Sequence, residues 1–204
     1  RDHGQWLEPV RAQDGRTALE QGFDAVIDGP ADILMVSGAT SVGLEDLMPT
    51  VLASRGKLLI HGVAMRPASP TGLGQLADGR FVFLLPGNPV SCLCAYEFFV
   101  GPLVRTLGGL ATPGAWPHPR RRLPLARKIV SKIGRVDFVR VGLQTQPDGT
   151  QAVIPIATSG ASNLSSAVRA DGIVLVPRDL EGIAPGATVE VYLFEQPPRG
   201  EASP

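Results

Sequence analysis

Pro86-Gly87-Asn88-Pro89 stands between an apolar run, Phe81 to Leu85, and a helical pattern over residues 89–107. These residue types in this order can bind an anion. Asparagine is a favoured helix N-cap, and proline fits the first helical turn, where its missing N–H costs nothing. Glycine lets the backbone approach a ligand closely. The unsatisfied N–H groups of that turn, at the positive end of the helix dipole, attract negative charge. A second strand-turn-helix repeats the arrangement, with Ser37-Gly38 and Ser41-Val42-Gly43 after an apolar strand at residues 32–37. Small hydroxyls and glycines there allow N–H groups to wrap a phosphate. Two such turns on the carboxyl edge of one sheet predict a crevice for a phosphorylated small molecule.

Positioning these turns requires an α/β scaffold. The spacing predicts a helix within residues 12–28, a strand at 32–37, a helix at 44–55 and a strand from Lys57 to Ile60. Residues 73–77 and 81–85 read as a hairpin around Asp78-Gly79-Arg80, and Gly108-Gly109 ends the helix that follows. A doubly wound sheet draws its central strand from early in the domain, yet only one strand precedes the 44–55 helix. A β-α-β portion before Arg1 is therefore expected, because buried sheet edges would otherwise stay open. The complete polypeptide is expected to extend further toward the amino end, and residues 1–204 alone to bind ligand weakly without turnover.

After residue 109 the pattern changes. Residues 110–118 are rich in Pro and Gly and read as a linker. Short alternating strands follow at Leu123 to Val130, Asp137 to Gln144, Gln151 to Ile156, Gly172 to Val176 and Thr188 to Phe194, with Pro147-Asp148-Gly149 as a turn. Five short strands with little helix predict a small β-barrel or sandwich over 119–195, and residues 196–204 read as a disordered tail. The fold class is thus α/β over residues 1–109, mostly parallel and three-layered but amino-terminally incomplete, followed by a small all-β barrel-like domain.

Composition narrows the function. The chain has 204 residues, 44% of them hydrophobic, and a formal net charge of zero, so nothing points to nucleic acid or an acidic membrane surface. No apolar run is read as long enough to span a membrane. Cys92 and Cys94 lie two apart on a helix and point to different faces, so no disulfide or shared metal is expected. They read as buried thiols of a reducing cytoplasm. The three histidines are scattered, and no Ser-His-Asp or Cys-His arrangement is visible.

Four segments then resemble one family. SGATSVGLED (37–46), HGVAMRPASPTGLGQL (61–76), LPGNPVSCLCAYEFFVGPLVRTLGG (85–109) and SGASNLSSAVRADGIVLVP (159–177) are similar, in order, to molybdopterin molybdenumtransferases of the MoeA and gephyrin E-domain type. GRVDFVRVGL (134–143) matches the start of that family's carboxyl-terminal domain. The resemblance implies insertion of molybdate into adenylylated molybdopterin with release of AMP, assisted by magnesium, in a homodimer. It implies ligand contacts from Ser37, Gly38, Ser41, Gly43, Pro86, Gly87, Asn88, Pro89 and Ser91. Asp46, with Glu45 beside it, would form the magnesium and molybdate region. Arg66, where the family commonly has lysine, would hold molybdate or a phosphate, and Ser162 would come from a loop approaching the partner subunit's site. At Ser69 a second family lysine is replaced, and Ala161 stands where the family often has serine. The alternatives are a molybdopterin adenylyltransferase-like enzyme, which shares the Pro-Gly-Asn-Pro turn but not the attached β-domain, and a non-catalytic binding scaffold.

Overall fold

The computed structural model describes residues 4–13, 15–38, 47–110, 116–156 and 164–194. The chain forms two compact units, one of Arg1–Val63 and Pro67–Ala115, the other of Ala64–Arg66 and Trp116–Pro204.

The first unit begins with α1 (Arg16–Ile27), β1 (Ile33–Ser37), α2 (Met48–Arg55) and β2 (Gly56–His61). The next strand, β3 (Met65–Arg66), belongs to the second unit. The first unit resumes with β4 (Gly72–Leu76), β5 (Phe81–Leu85), α3 (Pro89–Ala95), a π-helical stretch (Tyr96–Val100) and α4 (Gly101–Leu107). Its sheet runs in the order β1-β5-β4-β2. The parallel character expected from sequence resides in the β1–β5 pair, whereas β4 and β2 join antiparallel. Phe23, Leu34, Met48, Val51, Leu52, Leu76, Val82 and Leu84 close the core between sheet and helices.

The hairpin between β4 and β5 has a second task. α1 carries no basic residue in its last turn. Arg80 supplies the cation instead, donating from Nη2 to Ile27 O at 2.5 Å and from Nη1 to Gly29 O and Ala31 O at 3.1 Å each. Asp78 orients the guanidinium through Nε at 2.7 Å. Ile27 O is the last carbonyl of α1, and a guanidinium there satisfies an orphan acceptor and opposes the negative dipole end, while the bonds to Gly29 O and Ala31 O hold the chain that follows. Arg80→Met is expected to lower unfolding free energy by about 2 kcal/mol, the scale of a hydrogen bond to a charged group. Urea unfolding measures it, and an unchanged midpoint would refute the assigned role. Nearby, Arg55 clasps Asp24 through Nε and Nη2 at 2.5 and 2.8 Å, and this hydrogen bonding holds the Asp24 carboxyl below its ordinary range.

The helical run Pro89–Leu107 corrects one expectation: its 19 residues are long and apolar enough, by length and composition alone, to cross a membrane. In the first unit it buries Val90, Ser91, Cys94, Ala95 and Val100. Both cysteines are free; Cys94 is buried as expected, whereas Cys92, in the first turn of the helix, is half-buried.

The second unit contains β6 (Arg120–Pro124), β7 (Ile129–Val130), β8 (Val136–Thr145), β9 (Gln151–Pro155), α5 (Leu164–Val168), β10 (Gly172–Val176), β11 (Gly182–Ile183) and β12 (Thr188–Leu193). Its main sheet runs β3-β8-β10-β12-β6, with β9 also paired to β8 and β7 paired to β11. An isolated bridge, Leu125 to Val153, links the chain after β6 to β9, giving a barrel-like sheet without a continuous closing ladder. Leu125, Val139, Val141, Val153, Val174, Val176, Val189 and Val191 fill it. The single strand expected from Leu123 to Val130 is two strands with different partners, β6 on β12 and β7 on β11. The turn at Pro147-Asp148-Gly149 is present, with Asp148 Oδ1 accepting from the Thr150 amide at 2.9 Å. Trp116 packs edge-on against Tyr192 at 4.9 Å and Phe138 at 6.2 Å.

Candidate functional site

The site starts from strand register. β1 and β5 lie side by side and parallel, with Ser37 opposite Leu85, so both chains leave the sheet at the same edge. Gly38 N donates to Leu85 O at 3.3 Å, which holds the first turn against the end of β5. Gly38 has φ +90°, a conformation that glycine adopts without a Cβ penalty. A Cβ built on Gly87 would lie 3.2 Å from Gly38 Cα. Gly38 and Gly87 thus approach each other closely at the carboxyl ends of adjacent parallel strands, where open α/β sheets bind ligands.

Behind them the helix starts as the residue types require. Asn88 is extended at φ −70°, ψ 124°, and its Oδ1 accepts from Ser91 N at 3.5 Å. Pro89 occupies the first helical position, and Cys92 N donates to Asn88 O at 2.8 Å. Pro86 and Ser91 are buried, Asn88 is half-buried, and Gly87 and Pro89 are exposed. The buried members fix the turn, and the exposed ones leave its backbone open. Ser37 Oγ lies 3.7 Å from Cys92 Sγ. Cys92, read from sequence as a buried thiol, therefore stands beside Ser37; its position four after Asn88, on the same helix face, was the available signal.

The structure brings together Ser37, Gly38, Pro86, Gly87, Asn88, Pro89 and Ser91. Ser41, Gly43, Glu45, Asp46 and Ser162 lie outside the described residues. Arg66 stands in the second unit: β3 pairs in parallel with β8, placing Arg66 opposite Asp137, and Nη2 lies 3.0 Å from Asp137 Oδ2. Another buried polar group there is Arg140, whose Nε donates to Ser166 Oγ at 2.9 Å. Sequence reading passed over Asp137 and Arg140, although charges inside the apolar strand VDFVRV were a visible signal.

A hollow of about 470 Å³ lined by Asp24, Asp28, Arg55, Leu76 and Asp78 lies at the other end of the sheet, where β5 begins. Asp24, Arg55 and Asp78 of its lining are engaged in the Asp24–Arg55 and Asp78–Arg80 pairs, and it lies away from the strand ends where Gly38 and Gly87 meet.

A parallel strand pair with glycine turns and a capped helix defines an α/β ligand-binding domain, and comparison with known proteins says which. Residues 6–106 match the family model described as "Probable molybdopterin binding domain", and residues 122–194 match the MoeA C-terminal region (domain IV). The chain belongs to the MoeA family, of which it carries these two regions. It is 34% identical over 164 residues to a Methanocaldococcus jannaschii protein ascribed to molybdopterin biosynthesis, covering 80% of this chain and 37% of that one. It is 33% identical over 174 residues to molybdopterin molybdenumtransferase 1 of Mycobacterium tuberculosis, covering 81% and 39%. The crystal structure of a molybdopterin biosynthesis MoeA protein from Pyrococcus horikoshii superposes with a TM-score of 0.72 at 30% identity, covering 91% of this chain and 42% of that one. The chain therefore spans well under half the length of these relatives.

Proposed function

We propose that this chain forms part of a molybdopterin molybdenumtransferase, which inserts molybdate into adenylylated molybdopterin and releases AMP during molybdenum cofactor biosynthesis. The observation that carries this reading is the Gly38–Gly87 backbone contact at the ends of β1 and β5. It brings Gly38, the Pro86-Gly87-Asn88-Pro89 turn and a helix start to one edge, suited to a phosphate-bearing pterin. On this reading Ser37, Gly38, Asn88 and Ser91 bind the pterin nucleotide, and Arg66 holds the molybdate oxyanion. The protein contributes positioning and electrostatic stabilisation rather than a nucleophile.

The same reading includes a homodimer, and magnesium held by Asp46 with Glu45. Carboxylate oxygens are the donors magnesium takes. Among the described residues, no group of three or more His, Cys, Asp or Glu gathers to hold a metal ion.

The test uses adenylylated molybdopterin and the polypeptide at its relatives' length. AMP release dependent on molybdate supports the transferase. ATP-dependent adenylylation of molybdopterin would replace it with an adenylyltransferase, and peptide binding without either reaction would replace it with a scaffold.

A further inference from the structure

We propose that Asp137 is a positioning residue that sets the Arg66 guanidinium for an oxyanion, with Arg135 as its second cation; this rests on the oxyanion role given to Arg66 above. Asp137 is 1% exposed, on a strand whose neighbours Phe138 and Val139 are core. An isolated buried carboxylate is costly, so it needs positive charge nearby. Arg135 Nε donates to Oδ1 at 2.8 Å, which serves one oxygen. Oδ2 has no aligned hydrogen bond, although Arg66 Nη2 lies 3.0 Å away. That pair is an ion contact outside hydrogen-bond alignment.

The rest of Arg66 is arranged for this. Its backbone is held by β3–β8 pairing, by Val136 N donating to Ala64 O at 2.9 Å, and by the buried side chain of Met65. Its side chain remains 44% exposed. One edge of the guanidinium thus faces a fixed carboxylate while the rest reaches solvent. A planar fork with five donors can keep one edge on a carboxylate and present another to a tetrahedral oxyanion. Two guanidinium groups around one carboxylate also leave a net positive charge for the incoming anion. The buried carboxylate settles the direction of a long side chain that would otherwise sample many rotamers, which lowers the ordering cost of binding.

The experiment titrates sodium molybdate into the full chain by calorimetry and follows the arginine Nε–H signals by NMR. Arg66→Ala should weaken molybdate binding by about tenfold or more, the scale of a lost charge-assisted contact. Asp137→Glu keeps the buried charge but displaces the carboxylate. It should weaken binding by about threefold, on the scale of coupling between contacting residues, and shift the Arg66 Nε–H signal. Asp137→Asn should weaken binding further although it removes a negative charge, the opposite of simple electrostatics. Thermal midpoints exclude unfolding as the cause. If Arg66→Ala weakens binding and both Asp137 variants leave it unchanged or tighter, the positioning role is refuted while the oxyanion role of Arg66 stands. Weaker binding with an unmoved Arg66 signal would likewise make Asp137 structural only. If Arg66→Ala has no effect, the oxyanion role itself fails, and the proposal with it.

Discussion

Gly87→Val is expected to weaken binding of adenylylated molybdopterin roughly 5- to 150-fold, with little change in overall stability. The argument is steric. A Cβ at Gly87 would stand 3.2 Å from Gly38 Cα, closer than ordinary van der Waals contact, and valine adds two methyl groups to that carbon. The obstacle is backbone rather than a flexible side-chain end, so Gly87 and Gly38 must move apart. Overpacking of this kind costs about 1–3 kcal/mol. At a factor of ten per 1.4 kcal/mol, that gives the stated range if the strain falls on the ligand-ready arrangement. Gly87 itself is exposed, so the core is spared. Calorimetric titration of wild type and variant, beside thermal unfolding, checks both halves. Wild-type affinity in a folded Gly87→Val protein would mean that the ligand does not depend on the approach of these turns.

Leu84→Ala should cost about 3 kcal/mol of stability, within the 2–5 kcal/mol range for burying alanine where leucine stood. Leu84 is 0% exposed and sits on β5 between β1 and β4, in the core cluster with Leu34, Leu52 and Val82. A strand bonded on both sides relaxes poorly into a cavity. The loss also reaches the site, because β5 carries Leu85, whose carbonyl anchors Gly38 N. Urea unfolding followed by circular dichroism should show a lower midpoint with the same slope, the mark of lost stability rather than altered compactness. A loss below about 1 kcal/mol would place Leu84 at a site able to collapse around the smaller residue, contrary to its tight surroundings.

Much of the first unit was legible because its signals are local. The apolar runs at 33–37 and 81–85, the Asp78-Gly79-Arg80 turn, and Asn88-Pro89 each determine backbone shape within a few residues. The split of residues 123–130 into β6 and β7, and the short helix α5, were not legible. Strand partners there are distant in sequence: β6 pairs with β12, and β7 with β11. A charge inside the apolar strand VDFVRV marked Asp137 as unusual, but the extent of its burial was not legible. Alternation along β8 gives no sign that five consecutive residues, 137–141, are all covered, since that depends on what packs against both faces.

By itself, the amino-acid sequence determined the turn chemistry: glycine where backbone must come close, asparagine and proline where a helix must start, and small hydroxyls around them. These preferences arise from sterics and hydrogen bonding between near neighbours. Tertiary structure alone decided which turns meet and which charges pair. The parallel β1–β5 register puts Gly38 against Gly87 across 49 positions of chain, and the β3–β8 pairing takes Arg66 into the second unit and sets it beside Asp137. Contacts so distant in sequence are selected by burial of apolar surface and completion of backbone hydrogen bonds in the whole fold, which no local segment encodes.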